Sequence, residues 1–211
     1  MRIVLLGVPG AGKGLQAKIM VEYLKVPSIS TGEMMREMVD AGNPLGIKLR
    51  DEYFARGLLA PDDITIELLR QRLEKTDCKT GFVLDGFPRS EFQAESLEKI
   101  ARLNHVLYFE VPDSEVINRL SHRENCNSCK ITYGRDLKPK QPHVCDKCNN
   151  QLTKRDDDNP ESIKTRLEVY KAKTAPLVLF YEAKGLLRKI DGSQPYPIVA
   201  DDVRIVLGHF V

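Results

Sequence analysis

The sequence of 211 residues has no tryptophan, few aromatic residues and almost no excess charge of either sign. Lys and Arg number 32 against 30 Asp and Glu, so the formal net charge is +2. A chain this balanced is not a bulk binder of nucleic acid or of membrane surfaces, although it can hold a local cationic pocket. No uninterrupted apolar run approaches the roughly 20 residues that a membrane-spanning helix requires. We therefore expect no nucleic-acid and no membrane partner.

The N-terminal residues also lack the pattern of a secretory signal. The apolar residues 3–6 are followed by Gly7, Pro9 and Gly10, and Lys13 comes where an apolar region would have to continue. We therefore expect a cytoplasmic protein whose five cysteines stay reduced. With 42% hydrophobic and 29% charged residues, the chain has the composition of an ordinary globular protein, which excludes a disordered or collagen-like chain.

Strand-like and helix-like segments alternate along most of the chain. Strands are predicted at residues 3–6, 82–84, 106–111 and 187–190, and helices after Gly12 and near residues 32–39, 45–55, 62–74, 91–103, 114–123, 160–183 and 198–207. This alternation predicts an α/β fold, a parallel sheet covered by helices on both faces. Residues 123–159 contain too few apolar side chains to bury a core of their own, so another interaction must hold them together.

The first predicted strand runs into a glycine-rich loop, residues 7–13, with the sequence Gly-Val-Pro-Gly-Ala-Gly-Lys. Glycines let successive backbone N–H groups turn inward, the following helix adds positive charge at its N-terminus, and Lys13 can reach the β and γ phosphates. A glycine-rich turn without a ligand is the alternative. The combination of strand, spacing, lysine and helix favours a phosphate-binding loop (P-loop). The generic motif has Ser or Thr after the lysine, whereas this chain has Gly14 and Leu15.

The second predicted strand ends in another polar motif, Asp-Gly-Phe-Pro-Arg at residues 85–89. Ligands of open α/β sheets bind beyond the carboxyl ends of the strands, which places this motif beside the phosphate-binding loop. Asp85 can hold the hydration shell of Mg²⁺, and Arg89 can bind a phosphate in a bidentate manner. An ordinary turn with a surface arginine is the alternative.

Two Cys-x-x-Cys pairs, separated by fifteen residues, lie in the segment that lacks apolar residues. Their spacing is typical of a tetrahedral structural Zn²⁺ site, and a metal would supply the folding energy that this segment lacks. The predicted ligands are Cys126, Cys129, Cys145 and Cys148. Two disulfides or four unbound thiols are the alternatives, and a reducing compartment disfavours the disulfides. We expect His143 to be a bystander and Cys78 to be a lone thiol.

A zinc ribbon can also bind nucleic acid. Residues 122–159 contain eight basic and six acidic side chains, and four thiolates with one Zn²⁺ would add about −2. The segment therefore has no strongly basic face, and we expect the metal to be structural.

The order of these motifs resembles the adenylate kinases of the long-lid bacterial type, within the nucleoside monophosphate kinases, over essentially the whole chain. The resemblance is carried by the phosphate-binding loop, Ser30-Thr31-Gly32, Arg36, residues 85–89, Gln93, Arg119, Arg123, residues 155–158 and Arg166. It implies a P-loop core of residues 1–29, 61–121 and 160–211, a helical NMP-binding insert of residues 30–60, and a zinc-binding lid of residues 122–159. It also implies phosphoryl transfer from Mg²⁺-ATP to AMP, giving two ADP, by a monomer.

The resemblance also assigns roles to single residues. The implied ATP site consists of Gly10, Ala11, Gly12, Lys13, Gly14, Leu15, Arg119, Arg123, Thr132, Tyr133 and Gln194. The implied AMP site consists of Thr31, Arg36, Leu58, Leu59, Ala60, Gly86, Phe87, Pro88, Arg89, Gln93, Arg155 and Arg166. The implied catalytic groups are Lys13, Asp85, Arg89, Arg123, Arg155 and Arg166. Transfer between two polyanions needs cations and alignment rather than a nucleophile, which fits this set.

Two residues leave alternatives open. The Gln93 amide can both donate to and accept from an adenine edge, but a surface helix position is equally compatible with its sequence context. A kinase for UMP, CMP or GMP is therefore the competing enzyme. Leu15 stands where this family normally has Thr, so a nucleotide-binding zinc module with little activity is the second alternative.

Overall fold

The apolar segment near the N-terminus is the central strand of a five-stranded parallel sheet in the computed structural model of the chain. The structure describes residues 1–134 and 137–208. Residues 135–136 of the predicted lid and residues 209–211 of the predicted core lie outside the described part. The sheet strands are β1 (Arg2–Gly7), β2 (Ser28–Ser30), β3 (Phe82–Asp85), β4 (His105–Glu110) and β8 (Leu187–Asp191), in the spatial order β2-β3-β1-β4-β8. All neighbouring strands are parallel, with Leu5 beside Asp85 and Leu107.

Helices cover both faces of this sheet, which confirms the predicted fold class. Side chains of β1 alternate between the faces, and Ile3, Val4, Leu5 and Leu6 are all buried. The face of Ile3 and Leu5 packs against α1 (Lys13–Leu24), α6 (Asp113–Ser121), α7 (Pro160–Val169) and α9 (Tyr196–Val206). The face of Val4 and Leu6 packs against α4 (Asp62–Leu73), α5 (Glu91–Ile100) and α8 (Leu177–Ala183).

Two short helices, α2 (Thr31–Asp40) and α3 (Pro44–Glu52), follow β2. Ser30 caps α2 by accepting a hydrogen bond from the backbone N–H of Glu33, and Asn43 caps α3 in the same manner before Pro44. A Cβ atom on Gly46 would lie 2.6 Å from the Met38 Cβ, so the two helices approach more closely than any larger residue would allow.

The cysteine-rich segment forms a small antiparallel sheet separate from the central one. Its strands β5 (Glu124–Cys126), β6 (Thr132–Tyr133) and β7 (Leu152–Thr153) have the spatial order β6-β5-β7. The buried residues beneath it are Cys126, Tyr133, Cys145 and Leu152. Half of this cluster is cysteine, in agreement with the expectation that apolar packing alone does not hold the segment.

Several predicted element boundaries are wrong, each for a local reason. The helix predicted at residues 160–183 is interrupted by a π-helical turn, Tyr170–Thr174, and by Pro176, which cannot continue the backbone hydrogen bonds. The helix predicted at residues 114–123 ends at Ser121, so Arg123 lies beyond it. The helix predicted at residues 45–55 ends at Glu52, where Tyr53 leaves the helical conformation. The strand β2 was not predicted, since it has only three residues.

Within residues 1–134 and 137–208, no helix is both long enough and apolar enough to cross a bilayer.

Candidate active site

A cavity of about 470 Å³ lies beyond the carboxyl ends of β1, β2 and β3, between the central sheet, residues 30–60 and the cysteine-rich segment. Most of the predicted site residues line it. They are Gly10, Gly12, Lys13, Gly14, Leu15, Thr31, Arg36, Leu58, Leu59, Ala60, Asp85, Gly86, Pro88, Arg89, Gln93, Arg119, Arg123, Thr132, Tyr133, Arg155 and Arg166. The structure does not place Ala11, Phe87 or Gln194 in this lining.

The glycine-rich loop connects β1 to α1 as predicted. Gly10 and Gly12 have φ angles of 86° and 84°, which non-glycine residues rarely adopt. Helix α1 starts at Lys13 without a side-chain cap, so its first N–H groups remain available to an anion. The Lys13 ammonium donates to the carbonyls of Gly7 and Val8 at 2.8 Å each. Burial, together with the nearby arginines, lowers the pKa of Lys13 to about 8.

Asp85 ends β3 directly beside the start of α1. A Cβ atom on Gly14 would lie 3.2 Å from the Asp85 Oδ2, so a side chain at position 14 would crowd this carboxylate. The glycine after Lys13 therefore lets a carboxylate approach the phosphate-binding helix closely. Asp85 also offsets part of the positive charge on Lys13 and Arg89, since it acts to raise the pKa of both.

Six arginines line the same cavity, and four of them are the predicted catalytic arginines Arg89, Arg123, Arg155 and Arg166. Burial and mutual repulsion lower the pKa of Arg89 and Arg166, and the same causes lower the pKa of Arg155 to about 9. Each shift shows that these cations are held in a space that favours added negative charge. The cavity is therefore suited to a polyanion.

Two of these arginines share one buried carboxylate. Arg123 binds Asp158 through Nε and Nη2, at 2.7 and 2.5 Å, and Arg166 Nη1 lies 3.1 Å from the same carboxylate. The Asp158 side chain is only 1% exposed. Arg166 also lies 3.0 Å from Asp157 Oδ2. Burial alone would raise the pKa of Asp157, but Arg166 and the other nearby arginines lower it below its ordinary value.

The other two arginines are held by neutral groups. Arg89 donates from Nε to the Gly86 carbonyl at 2.8 Å, and Thr174 donates to the Arg89 carbonyl at 2.8 Å. Arg155 donates from Nη2 to Asn125 Oδ1 at 3.0 Å. Neutral acceptors orient these side chains without cancelling their charge.

Gln93 is only 2% exposed, yet it lines the cavity. Its Oε1 accepts from the backbone N–H of Arg89 at 2.8 Å, and its Nε2 donates to Asp62 at 2.7 Å. Ser90 donates to the other oxygen of Asp62 at 2.8 Å. An amide that makes these two bonds can still make one more as a donor and one more as an acceptor.

Three of the predicted ATP-site residues make hydrogen bonds to other parts of the chain. Arg119 donates to the carbonyls of Gly192 and Ser193 at 2.9 and 3.3 Å, which ties α6 to the loop after β8. Gln194 is exposed and donates to Asp191. The Tyr133 hydroxyl is turned toward the cysteines, since it accepts from the Asp146 N–H at 2.9 Å and lies 3.6 Å from Cys145 Sγ.

The four predicted metal ligands form one cluster, with all four sulfur atoms within 4.8 Å of one another. The Cys126–Cys148 and Cys129–Cys145 sulfur pairs are 3.3 Å apart, and the Cys129–Cys148 pair is 3.8 Å apart. A tetrahedral Zn²⁺ with bonds of about 2.3 Å separates its sulfur ligands by about 3.8 Å. A disulfide would need about 2.05 Å, so the four cysteines fit the metal rather than two disulfides.

The two halves of the cluster have the same backbone geometry. The N–H groups of Lys130 and Asn149 each donate to the carbonyl of the cysteine four residues earlier, at 2.9 Å, and both residues have a φ of 57°.

His143 lies outside the cluster, and its Nδ1 is 2.6 Å from Glu124. Cys78 also lies apart, beside Arg72 and Asp77.

Several site residues were not predicted from the sequence. Asp62 and Ser90 hold Gln93, Asn125 holds Arg155, and Thr174 holds the backbone of Arg89. Asp62 follows Pro61 at the start of a helix, where an acidic residue is ordinarily explained by the helix dipole. Only the fold brings these residues to their partners.

Comparison with known proteins agrees with this geometry. A family model described as "Adenylate kinase" matches residues 5–186. An adenylate kinase of Geobacillus sp. (strain WCH70) is 47% identical over 99% of this chain and 99% of its own length. Adenylate kinases of Caldicellulosiruptor bescii and Thermodesulfovibrio yellowstonii are 45% and 46% identical, over 98% and 92% of this chain and 97% and 92% of their own lengths. The chain therefore belongs to the adenylate kinase family.

Proposed function

We propose that the chain catalyses Mg²⁺-ATP + AMP ⇌ Mg²⁺-ADP + ADP by direct in-line transfer. The observation that carries this proposal is the convergence of Lys13 and four partly buried arginines on one cavity beside an uncapped helix N-terminus. Phosphoryl transfer spreads charge over the oxygens of the moving group, and fixed cations stabilise that charge without reorganising. Alignment of the two nucleotides supplies the rest.

In this proposal the donor nucleotide lies along α1 and under the cysteine-rich segment. The loop N–H groups and Lys13 bind its phosphates, and Lys13 exchanges its two carbonyl partners for phosphate oxygens. Its proposed contacts are Gly10, Ala11, Gly12, Lys13, Gly14, Leu15, Arg119, Arg123, Thr132, Tyr133 and Gln194. The placement of Ala11 and Gln194 outside the cavity lining limits them to backbone or peripheral contacts.

The acceptor AMP lies between residues 30–60 and the start of α5. The residues proposed to form its site are Thr31, Arg36, Leu58, Leu59, Ala60, Gly86, Phe87, Pro88, Arg89, Gln93, Arg155 and Arg166. Phe87 is 1% exposed and would act by packing behind its neighbours rather than by touching AMP. Arg123, Arg155 and Arg166 lie where the phosphates of the two nucleotides would meet, which fits a role in transfer.

Two cofactors accompany this function. Mg²⁺ enters with ATP and neutralises phosphate charge when bound, and Asp85, beside Gly14, is the carboxylate that would hold its water shell. Zn²⁺ fits the four cysteines and would close the small sheet, which otherwise has little core.

We also propose the division of the chain into a P-loop core (1–29, 61–121 and 160–211), an NMP-binding insert (30–60) and a zinc-binding lid (122–159). Contacts between these parts support a closed arrangement. Lys130 of the lid lies 3.4 Å from Asp40 of the insert, and Lys18 of the core donates to the Lys130 carbonyl. Ser162 of the core donates to the Ala55 carbonyl of the insert at 2.9 Å. Closure of this kind would exclude water and limit hydrolysis of ATP.

We propose that the protein acts as a monomer in the cytoplasm. Four cysteines arranged for a metal, rather than for disulfides, support a reducing compartment.

The direct test of the function is ADP formation from Mg²⁺-ATP with AMP, GMP, CMP or UMP as acceptor, followed in a coupled assay. We expect AMP to give the highest kcat/KM, by at least about ten-fold, because the Gln93 amide matches adenine. A higher kcat/KM with another acceptor would identify a different monophosphate kinase. Nucleotide binding without turnover would instead identify an inactive binding module.

Replacement of Gln93 by Ala should raise the KM for AMP about ten-fold and the KM for ATP less than two-fold, because the base contact is lost on the acceptor side alone. Initial rates measured while each nucleotide is varied give both constants. Glu95→Ala is the matched control, since Glu95 is exposed on the same helix. Equal changes in the two constants would contradict the proposed role.

Replacement of Leu15 by Thr should raise kcat, or lower the KM for Mg²⁺-ATP, by several-fold, because it adds a hydroxyl beside Lys13 at the cavity wall. Leu15→Val is the control, since Val has the shape of Thr without the hydroxyl. If Thr performs no better than Val, the hydroxyl has no role in this site.

Replacement of Cys145 by Ser should lower the zinc content and should lower the melting temperature by roughly 5 °C or more. The effect on kcat should be smaller than either of these, because the metal is structural. Metal analysis, thermal unfolding and kcat measured on the same preparation separate these effects. Cys78→Ala, outside the cluster, should leave the zinc content unchanged. Unchanged Tm with lost turnover would instead indicate a catalytic metal.

A further inference from the structure

Two hydrogen-bond partners fix the orientation of the Gln93 amide, because each of them can pair with only one end of the amide, either the oxygen or the nitrogen. The Arg89 backbone N–H is a donor and lies 2.8 Å from Oε1, so an oxygen must face it. An ionised carboxylate only accepts, and Asp62 Oδ1 lies 2.7 Å from Nε2, so an N–H must face it. Rotating the amide by half a turn would place oxygen against oxygen and N–H against N–H. Both contacts would then be repulsive.

Asp62 is itself held in position. Ser90 donates to its Oδ2 at 2.8 Å, and the same hydroxyl accepts from the Gln93 backbone N–H at 3.2 Å. Asp62 lies in the first turn of α4, and Gln93 lies in the first turn of α5. The carboxylate therefore belongs to a small hydrogen-bond network between two helix N-termini. Gln93 lines the cavity in this network, and Asp62 and Ser90 lie behind it.

A fixed amide distinguishes between purines at their 6-position. Adenine presents a 6-amino donor beside a ring-nitrogen acceptor, which pairs with Oε1 and with the remaining N–H of Nε2. Guanine and hypoxanthine present a 6-oxo acceptor, and on their Watson–Crick edge the adjacent ring nitrogen is a donor. A rotated amide would satisfy that reversed pattern, and Asp62 opposes the rotation.

We propose that Asp62 is a positioning residue that sets the preference for 6-amino over 6-oxo purine monophosphates by fixing the orientation of the Gln93 amide. This inference rests on the proposed function, in which Gln93 contacts the acceptor base. Asp62 does not line the cavity, so it acts on the acceptor base through Gln93, directly at the amide and through Ser90 at the Gln93 backbone.

The test compares kcat/KM for AMP, GMP and IMP at constant Mg²⁺-ATP in the full-length protein. Asp62→Asn introduces a side chain that can donate or accept, so the rotated amide regains a partner on that side. The GMP:AMP and IMP:AMP ratios should rise about ten-fold, a partial relaxation because the Arg89 N–H still favours the original orientation. Asp63→Asn removes the same charge from the same helix turn at an exposed position and should leave both ratios within two-fold of wild type.

One further measurement separates positioning from general damage. In a Gln93→Ala background, Asp62→Asn should change neither ratio, since the group it acts through is gone. Unaltered ratios in the single Asp62→Asn variant, or a change that persists without Gln93, would overturn the proposal.

The wild-type protein supplies an independent test that needs no variant. IMP differs from AMP only at the 6-position and the adjacent ring nitrogen, so IMP should be rejected about as strongly as GMP. Efficient use of IMP alongside AMP would overturn the inference while leaving the kinase function intact. Absence of turnover with AMP would instead overturn the proposed function itself.

Discussion

The accumulation of positive charge in a partly buried cavity is the constraint on which the rest of the structure depends. Lys13, Arg89, Arg155 and Arg166 all have lowered pKa values because burial and neighbouring cations disfavour their charged forms. Such an arrangement costs folding free energy unless other contacts support it. The supporting contacts are the parallel sheet, which fixes the loops, and a few carboxylates and carbonyls that hold each cation in place.

The cysteine-rich segment also has to be held in place over this cavity, and it is held by a different kind of contact. It extends over the cavity and supplies Arg155, Thr132 and Tyr133 to the lining, yet it has almost no apolar core. Its four cysteine sulfurs lie close enough together to hold one metal ion, which would link the end of β5 to the turns that contain Cys129, Cys145 and Cys148. Tyr133 connects the cysteine cluster to the cavity, because the residue lines the cavity and its hydroxyl lies 3.6 Å from Cys145 Sγ.

The sequence predicts those parts of the site that are formed by residues close together in the chain. The glycine-rich loop, the Asp-Gly-Phe-Pro-Arg motif and the Cys-x-x-Cys pairs are local patterns, and the structure forms all three as expected. The bond between Asp62 and Gln93 joins residues 31 positions apart, and the bond between Asn125 and Arg155 joins residues 30 apart. Nothing in the local pattern of either partner identifies the other. The π-helical turn Tyr170–Thr174 likewise buries Tyr170 in the core, among residues that are distant in the sequence.

The carboxylate shared by Arg123 and Arg166 has a consequence for selectivity by charge. Both guanidinium groups already have an anionic partner in Asp158, so an incoming molecule gains little from them unless it carries more negative charge than one carboxylate. A neutral sugar or a singly charged metabolite of nucleotide size would leave the two ion pairs as they are. A ligand with several adjacent anionic groups can offset that reorganisation, so these two ion pairs favour multivalent anions over singly charged solutes.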